Sequence, residues 1–144
     1  MDISKPPVSI GLPVYNGETF LEESIESILT QSFGDFELII LDNASPVRTP
    51  QICRTYSEHD DRIKYHRNKE NISHTANVNH VARLAQGEYY RQHHHDDVLE
   101  PECFARCVDV FEEEPEVVLC HTETTVIHED GSPRQVKTAY GFSN

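Results

Sequence analysis

The feature that most constrains this chain is an early switch between two periodicities. A short β-rich run, Val8-Ser9-Ile10-Gly11-Leu12, leads into the polar turn Pro13-Val14-Tyr15-Asn16-Gly17. Leu21, Ile25, Ile28 and Leu29 then recur at helical spacing, with Glu22, Glu23 and Glu26 on the opposite face. Phe36-Glu37-Leu38-Ile39-Ile40-Leu41 follows as a nearly continuous apolar run, the pattern of a parallel strand covered on both faces. Strand, loop, amphipathic helix, buried strand is the opening of a βαβ unit, which commits the chain to an α/β sheet with right-handed connections.

The alternation continues. A helix is expected over 49–57 through Ile52, Cys53 and Tyr56, with Pro46 and Pro50 restricting its start. Ile63 to His66 reads as a third strand. His74 to Gln86 reads as a helix with Ala76, Val78, Val81, Ala82 and Ala85 on its apolar face, stopped by Gly87. Glu88 to Gln92 would be a fourth strand. Pro101 would open a helix whose Phe104, Cys107, Val108 and Phe111 form a core face. Val117 to His121 is the expected fifth strand, and Thr124 to His128 a further one entering a hairpin turn at Glu129-Asp130-Gly131-Ser132. There is no internal repeat.

Ligands of such sheets sit beyond the carboxyl ends of the strands. That rule gathers Tyr15, Asp42 and the pair Asp96-Asp97 around one crevice, where an acidic pair can hold a divalent cation against a phosphate. The 144 residues allow one compact domain and are short for two. A net charge of -13 argues against a nucleic-acid partner, because phosphate backbones are bound through clustered Lys and Arg. No apolar stretch is long enough for a bilayer span and the first residues lack a signal-peptide pattern, so a cytoplasmic location, or a peripheral one at the membrane, is expected. Cys53, Cys103, Cys107 and Cys120 form no CxxC pair and are expected to be reduced.

Val8 to Gly17, Leu21 to Phe33 and Phe36 to Ser45, followed in order by Ala85-Gln86-Gly87-Glu88-Tyr89 and by Asp96-Asp97 through Pro101, closely resemble the start of family 2 glycosyltransferases. The resemblance implies a GT-A type, Rossmann-like three-layer sandwich with a mostly parallel sheet, truncated at its acceptor side. Residues 1–6 would be a disordered tail and 7–131 the nucleotide-sugar-binding domain. Residues 132–144 would be the start of the acceptor-side region or a frayed tail.

The same resemblance implies the site. Pro13, Val14 and Tyr15 would pack along the nucleoside, Asp42 would hydrogen-bond the uracil of a UDP-sugar, and Asn79 would contact the nucleotide or brace the loop. Asn43 stands where the family often has a second acid. His94 replaces the first acid of the family's metal motif, leaving Asp96 for the ribose or a metal-bound water and Asp97 for direct ligation of Mn²⁺ or Mg²⁺. The implied reaction is transfer of a sugar to an acceptor hydroxyl with inversion, the acceptor being a saccharide, lipid or protein. Its general base is expected beyond Asn144, so the chain is either a fragment of a longer enzyme or a donor binder without transfer. A truncated acceptor face would expose apolar surface of the kind that drives self-association.

The residues leave other readings open. Asp42 to Ser45 by itself is an ordinary Asx turn, and Asp96-Asp97 a helix-start acid pair. Arg67 and Lys69 are either solvated or near the donor diphosphate, and the resemblance implies that His121 and Glu123 lie where the sheet faces the acceptor region, near the sugar. Two alternatives to an enzyme are a nucleotide-binding scaffold lacking the base and a zinc module built from His93, His95, Cys103 and Cys107.

Overall fold

The computed structural model describes residues 5–46 and 48–134. These fall into two compact units, one ending at Arg106 and one beginning at Cys107. The elements are β1 (Val8–Val14), α1 (Leu21–Leu29), β2 (Phe36–Asp42), α2 (Arg48–His59), β3 (Ile63–Arg67), α3 (His74–Leu84), β4 (Tyr89–Gln92) and α4 (Cys103–Glu113). The strands form one sheet of order β3-β2-β1-β4, parallel throughout. Most of the tails expected over 1–6 and 132–144 lies outside the described residues.

β1 and β2 are buried along their whole length, as strands covered on both faces must be. One face of β2 presents Ile39 and Leu41 to Val81, with Leu84 and Ala85 packed on the same cluster. The opposite face carries Leu38 and Ile40, both fully buried, on the side of α1 and α2 that right-handed connections require. On the apolar side of α1, Leu21, Ser24, Ile25 and Ile28 are buried, close to the expected stripe. α3 is rotated from expectation. Its buried residues are Asn77 and Val81, while Ala76 and Ala82 are exposed.

Chain reversal at the sheet brings the order back across β1. β2 and β3 lie to one side of β1, and β4, reached through α3, lies on the other. The sheet therefore changes winding direction between β1 and β4, the position at which α/β sheets open a crevice. The strand ends are uneven there. β1 pairs with β2 up to Val14↔Asp42, but its last partner in β4 is Gly11↔Gln92, so β1 runs three residues beyond β4. Backbone groups of Pro7 and Gly11 point toward β4, since their carbonyls accept from Tyr89 and His93. By the same alternation Pro13 faces that side, where its missing N–H has no strand to serve.

A buried polar node ties α3 to the sheet. Ser9 Oγ donates to Glu37 Oε1 at 2.6 Å, and the backbone N–H groups of Gln86 and Gly87 donate to Glu37 Oε1 and Ser9 Oγ at 2.9 and 2.8 Å. A Cβ on Gly87 would lie 2.8 Å from Ser9 N and Oγ, so this close approach needs glycine.

Two elements differ from the sequence expectation in the second unit. Residues 117–121 form no strand, and Val118 and Leu119 are 93% and 80% exposed. A lone strand leaves its backbone groups unpaired, and 117–121 has no ladder partner among the described residues. The hairpin turn at Glu129 to Ser132 is present, with Gly131 at φ 81° and Asp130 Oδ1 accepting from the Ser132 N–H and hydroxyl. Among the described residues its flanks make the single bridge Ile127↔Pro133. Pro101 and Glu102 form a turn ahead of α4, which starts at Cys103.

Candidate functional site

A cavity of about 470 Å³ opens above the ends of β1, β2 and β4, within the size range of small-molecule sites. Its walls come from three stretches: Pro13, Val14 and Tyr15 at the end of β1; Asn43 after β2 with Asn71, Ile72, His74 and Asn77 around the start of α3; and His94, His95 and Asp96 after β4.

Tyr15 is 48% exposed, presenting a large aromatic face at the rim. The turn after it is held from the other strand end. The Asn16 N–H donates to Ser45 Oγ at 3.0 Å and the Gly17 N–H to Thr49 Oγ1 at 3.1 Å. Asn16 sits in the left-handed region at φ 54°, a conformation asparagine tolerates better than most residues. A Cβ on Gly17 would lie 2.5 Å from Val14 Cγ2 and 3.0 Å from His95 Cδ2, so the His95 ring packs over bare backbone.

Asp42 does not line the cavity. It is fully buried, its Oδ1 accepts from the Ser45 N–H at 2.9 Å, and its Oδ2 accepts from the Tyr65 hydroxyl at 3.0 Å and from the Arg67 guanidinium. Burial, and then the Asp42 charge, pushes the Tyr65 hydroxyl up to about 12. The Asx turn at Asp42 carries Ala44 at φ 60° and sets Asn43 at the cavity wall. Arg67, considered for the diphosphate, is committed to Asp42 and to the Ser45 carbonyl at 2.8 Å.

Asn43 is 4% exposed and pairs with the backbone of Ile72 in both directions. Its Oδ1 accepts from the Ile72 N–H at 2.9 Å, and its Nδ2 donates to the Ile72 carbonyl at 2.7 Å. Asn68 Nδ2 donates to Asn43 Oδ1 and Asn77 Oδ1, and Asn77 Nδ2 reaches the Leu41 carbonyl at 3.3 Å. A neutral amide suits this place because it must donate and accept at once.

The turn after β4 departs from the sequence expectation. The zinc alternative pairs His93 with His95; instead His94 and His95 both line the cavity and His93 is turned into the core at 2% exposure. Strand alternation stops governing direction once β4 ends at Gln92. His93 Nε2 lies 2.9 Å from Ser24 Oγ and 3.2 Å from the Asp97 carbonyl, while Ser24 Oγ donates to the His94 carbonyl. A carbonyl only accepts, so Nε2 carries the proton, by inference from its partners. Burial, reinforced by Arg91, pushes His93 down to about 4. It is a neutral brace between α1 and the turn.

Asp96 lines the cavity and is exposed; Asp97 is exposed but outside the lining. No group of three His, Cys, Asp or Glu side chains able to hold a metal ion occurs among the described residues. The proposed set His93, His95, Cys103 and Cys107 is thus not assembled, and a zinc site with its three or four protein ligands is not formed. A hard cation such as Mg²⁺ needs only one or two carboxylates and takes its remaining ligands from water and phosphate, which the exposed Asp96-Asp97 turn does fit. Asn79 is exposed and lies outside the lining, whereas Asn77, two residues earlier, is 3% exposed and lines it.

The model of the glycosyl transferase family 2 matches residues 9–141. The chain belongs to this family. It is 38% identical over 129 residues to the putative glycosyltransferase EpsE of Bacillus subtilis, covering 89% of this chain and 46% of that protein. Chondroitin synthase of Escherichia coli is 30% identical over 128 residues, 88% of this chain and 18% of its own length. The family 2 chain thus spans less than half the length of either relative. In fold it is similar to residues 1–349 of Staphylococcus aureus TarS in complex with UDP, with a TM-score of 0.70 and 24% identity over 78% of this chain and 33% of that TarS chain. The mannosyltransferase PcManGT of Pyrobaculum calidifontis, in complex with GDP-Man and Mn²⁺, gives 0.67 and 23% over 76% of this chain and 33% of that protein. The architecture is the GT-A type α/β fold expected from the sequence. No helix among the described residues is long and apolar enough to cross a membrane.

Proposed function

We propose that this chain is the donor-binding half of a glycosyltransferase that moves a sugar from a UDP-sugar to an acceptor hydroxyl with inversion. The observation that carries the reading is the cavity at the β1/β4 crevice, with the Tyr15 face at its rim and the Asp96 carboxylate in its wall. UDP and GDP-Man in the TarS and PcManGT structures support a nucleotide-sugar as the ligand class.

In this reading Pro13, Val14 and Tyr15 wall the nucleoside, and the Tyr15 ring stacks on the base. Asp42 contributes through the Asn43 turn that it orders. Asp96 and Asp97 hold the ribose and a Mn²⁺ or Mg²⁺ ion. When bound, the cation supplies positive charge to the departing diphosphate. The chain's own residues bind and orient the donor, and His93, braced on Ser24, fixes the turn that presents both carboxylates. Asp96 is the one carboxylate in the cavity lining among the described residues and is spent on the donor, so the base that takes the acceptor proton is assigned to none of these residues. A cytoplasmic or membrane-peripheral location goes with this reading.

Calorimetric titration with UDP, with and without Mn²⁺, tests it. Binding that tightens with Mn²⁺ and loses that metal response in Asp97→Ala and Asp96→Asn is expected. Absence of UDP binding under both conditions overturns it.

A further inference from the structure

We propose that Cys107 and Cys120 form a redox modification site, in which a small-molecule disulfide such as oxidised glutathione converts the two thiols into a bond that latches the chain after α4 back onto that helix. All four cysteines are thiols in this structure, but they divide by exposure. Cys53 is fully buried, its thiol pushed up to about 12 by burial and then by the Asp42 charge, and Cys103 is 7% exposed. Both are closed to a reagent in solution. Cys107 and Cys120 are half-buried, and the fold brings these two together. The Cys120 thiol donates toward the Cys107 carbonyl, with Sγ 4.0 Å from the oxygen, across a separation of 13 residues.

The path between them accounts for the meeting. α4 ends at Glu113, the Val117 N–H donates to the Glu114 carbonyl at 2.9 Å, and the chain turns back. The helix from Cys107 to Glu113 rises about 9 Å, and extended chain from Val117 to Cys120 returns about the same distance. Val118 and Leu119 are 93% and 80% exposed, whereas Val117 and Cys120 on either side of them are half-buried. Without a strand partner among the described residues, this stretch lacks the ladder bonds that would fix it. It can yield the shift that a sulfur–sulfur bond of about 2 Å requires. One cysteine thiolate attacks a sulfur of the oxidant and expels a thiolate, which takes up a proton. The second cysteine attacks the mixed disulfide, forms the Cys107–Cys120 bond and expels the other half of the oxidant. The chain gives up two electrons and two protons, and the oxidant leaves as two thiols. A partly exposed disulfide of this kind is a reversible switch rather than a permanent staple.

Glutamate-specific proteolysis and mass spectrometry test the site, because Glu112, Glu113, Glu114 and Glu116 lie between the two cysteines. Cleavage there parts Cys107 from Cys120 unless a bond joins them. Treating the folded chain with oxidised glutathione is expected to give a reducible Cys107–Cys120 peptide pair, two hydrogens lighter than its separate halves. Amide exchange over 117–120 is expected to slow by about tenfold in the oxidised chain. In urea the shorter Cys103–Cys107 loop is expected to compete, so a preference for Cys107–Cys120 that is lost on unfolding supports the site. Cys120→Ser should leave Cys107 glutathionylated and unlinked; if that variant does not fold, the parent measurements decide. Mixed disulfides without a cross-link, a Cys103–Cys107 link in the folded chain, the same pairing proportions in urea, or a cross-link that leaves exchange unchanged each overturns the proposal.

Discussion

The Asn43 side chain and the Ile72 backbone exchange two hydrogen bonds, 2.9 and 2.7 Å long, as paired strands would, although neither residue lies in a strand. The pair couples the end of β2 to the start of α3 and makes one wall of the cavity.

Replacing that amide by an acid of the same shape isolates the donor half of the pair. In Asn43→Asp the ionised side chain still accepts from the Ile72 N–H but no longer donates to its carbonyl, and it adds a charge beside Asp42. A loss of about 1–3 kcal/mol in urea unfolding at pH 7 is expected. Folding raises the pKa of the introduced carboxyl, so the loss is present above that pKa and shrinks as pH falls through it, when the protonated acid regains a donor. Unfolding curves of parent and variant at pH 7 and pH 5 check this; a pH-independent difference contradicts it.

His93 gives the parent its own pH dependence. Its native value is pushed down to about 4 by burial, whereas the unfolded chain titrates near 6.5. Between these values the unfolded state takes up a proton that the native state refuses, so stability is full above about 6.5 and falls as pH drops toward 4, by roughly 3 kcal/mol in all. In His93→Gln an amide replaces the titrating ring, and the slope of stability against pH in this window is expected to flatten. An unchanged slope would assign the dependence to other groups.

Arg67→Ala leaves Asp42 buried with two of its three donors. The expected cost is about 2 kcal/mol, below the 3–5 kcal/mol typical of breaking a fully buried pair, because the Arg67 side chain is 35% exposed and water replaces part of it. A double-mutant cycle with Asp42→Asn should return a favourable coupling between the two. Zero coupling would mean that the Ser45 and Tyr65 donors suffice.

Two glycines give opposite expectations for one substitution. Gly87→Ala drives a methyl group against the Ser9 backbone and hydroxyl at 2.8 Å, whereas at Gly34 the nearest atom to an added Cβ is Arg62 Nη1 at 3.9 Å. A loss of about 1–3 kcal/mol is expected for Gly87→Ala and little change for Gly34→Ala, read as shifts in the urea midpoint.

The layered fold was legible because β1, α1 and β2 carry clean patterns: two strands buried throughout and a helix with one apolar face. α3 misled because its buried face includes Asn77, a polar residue in a core position. Counting only apolar residues rotated the helix and passed over Asn77, whereas Asn79 came from the family resemblance. The signal was available in Asn77, Val81 and Leu84, spaced four and three apart. Asp42 stood out as an acid at a strand end, yet what occupies it, Tyr65 and Arg67 on β3, lies more than twenty residues away, and only the sheet order makes them neighbours. The pairing of His93 with His95 in the zinc alternative fails for a related reason, since β4 ends at Gln92 and its alternation does not govern where the following side chains point.

The uneven strand ends determine what kind of object the cavity is. Because β1 outruns β4 by three residues, the recess beside it is roughly 10 Å deep at about 3.3 Å per residue, comparable to the length of a nucleoside. That depth is counted in paired backbone, the stiffest material in the molecule, rather than in loop. Substitutions around the rim would therefore retune what is gripped, while lengthening or shortening the strand by a residue would change what size of molecule fits at all.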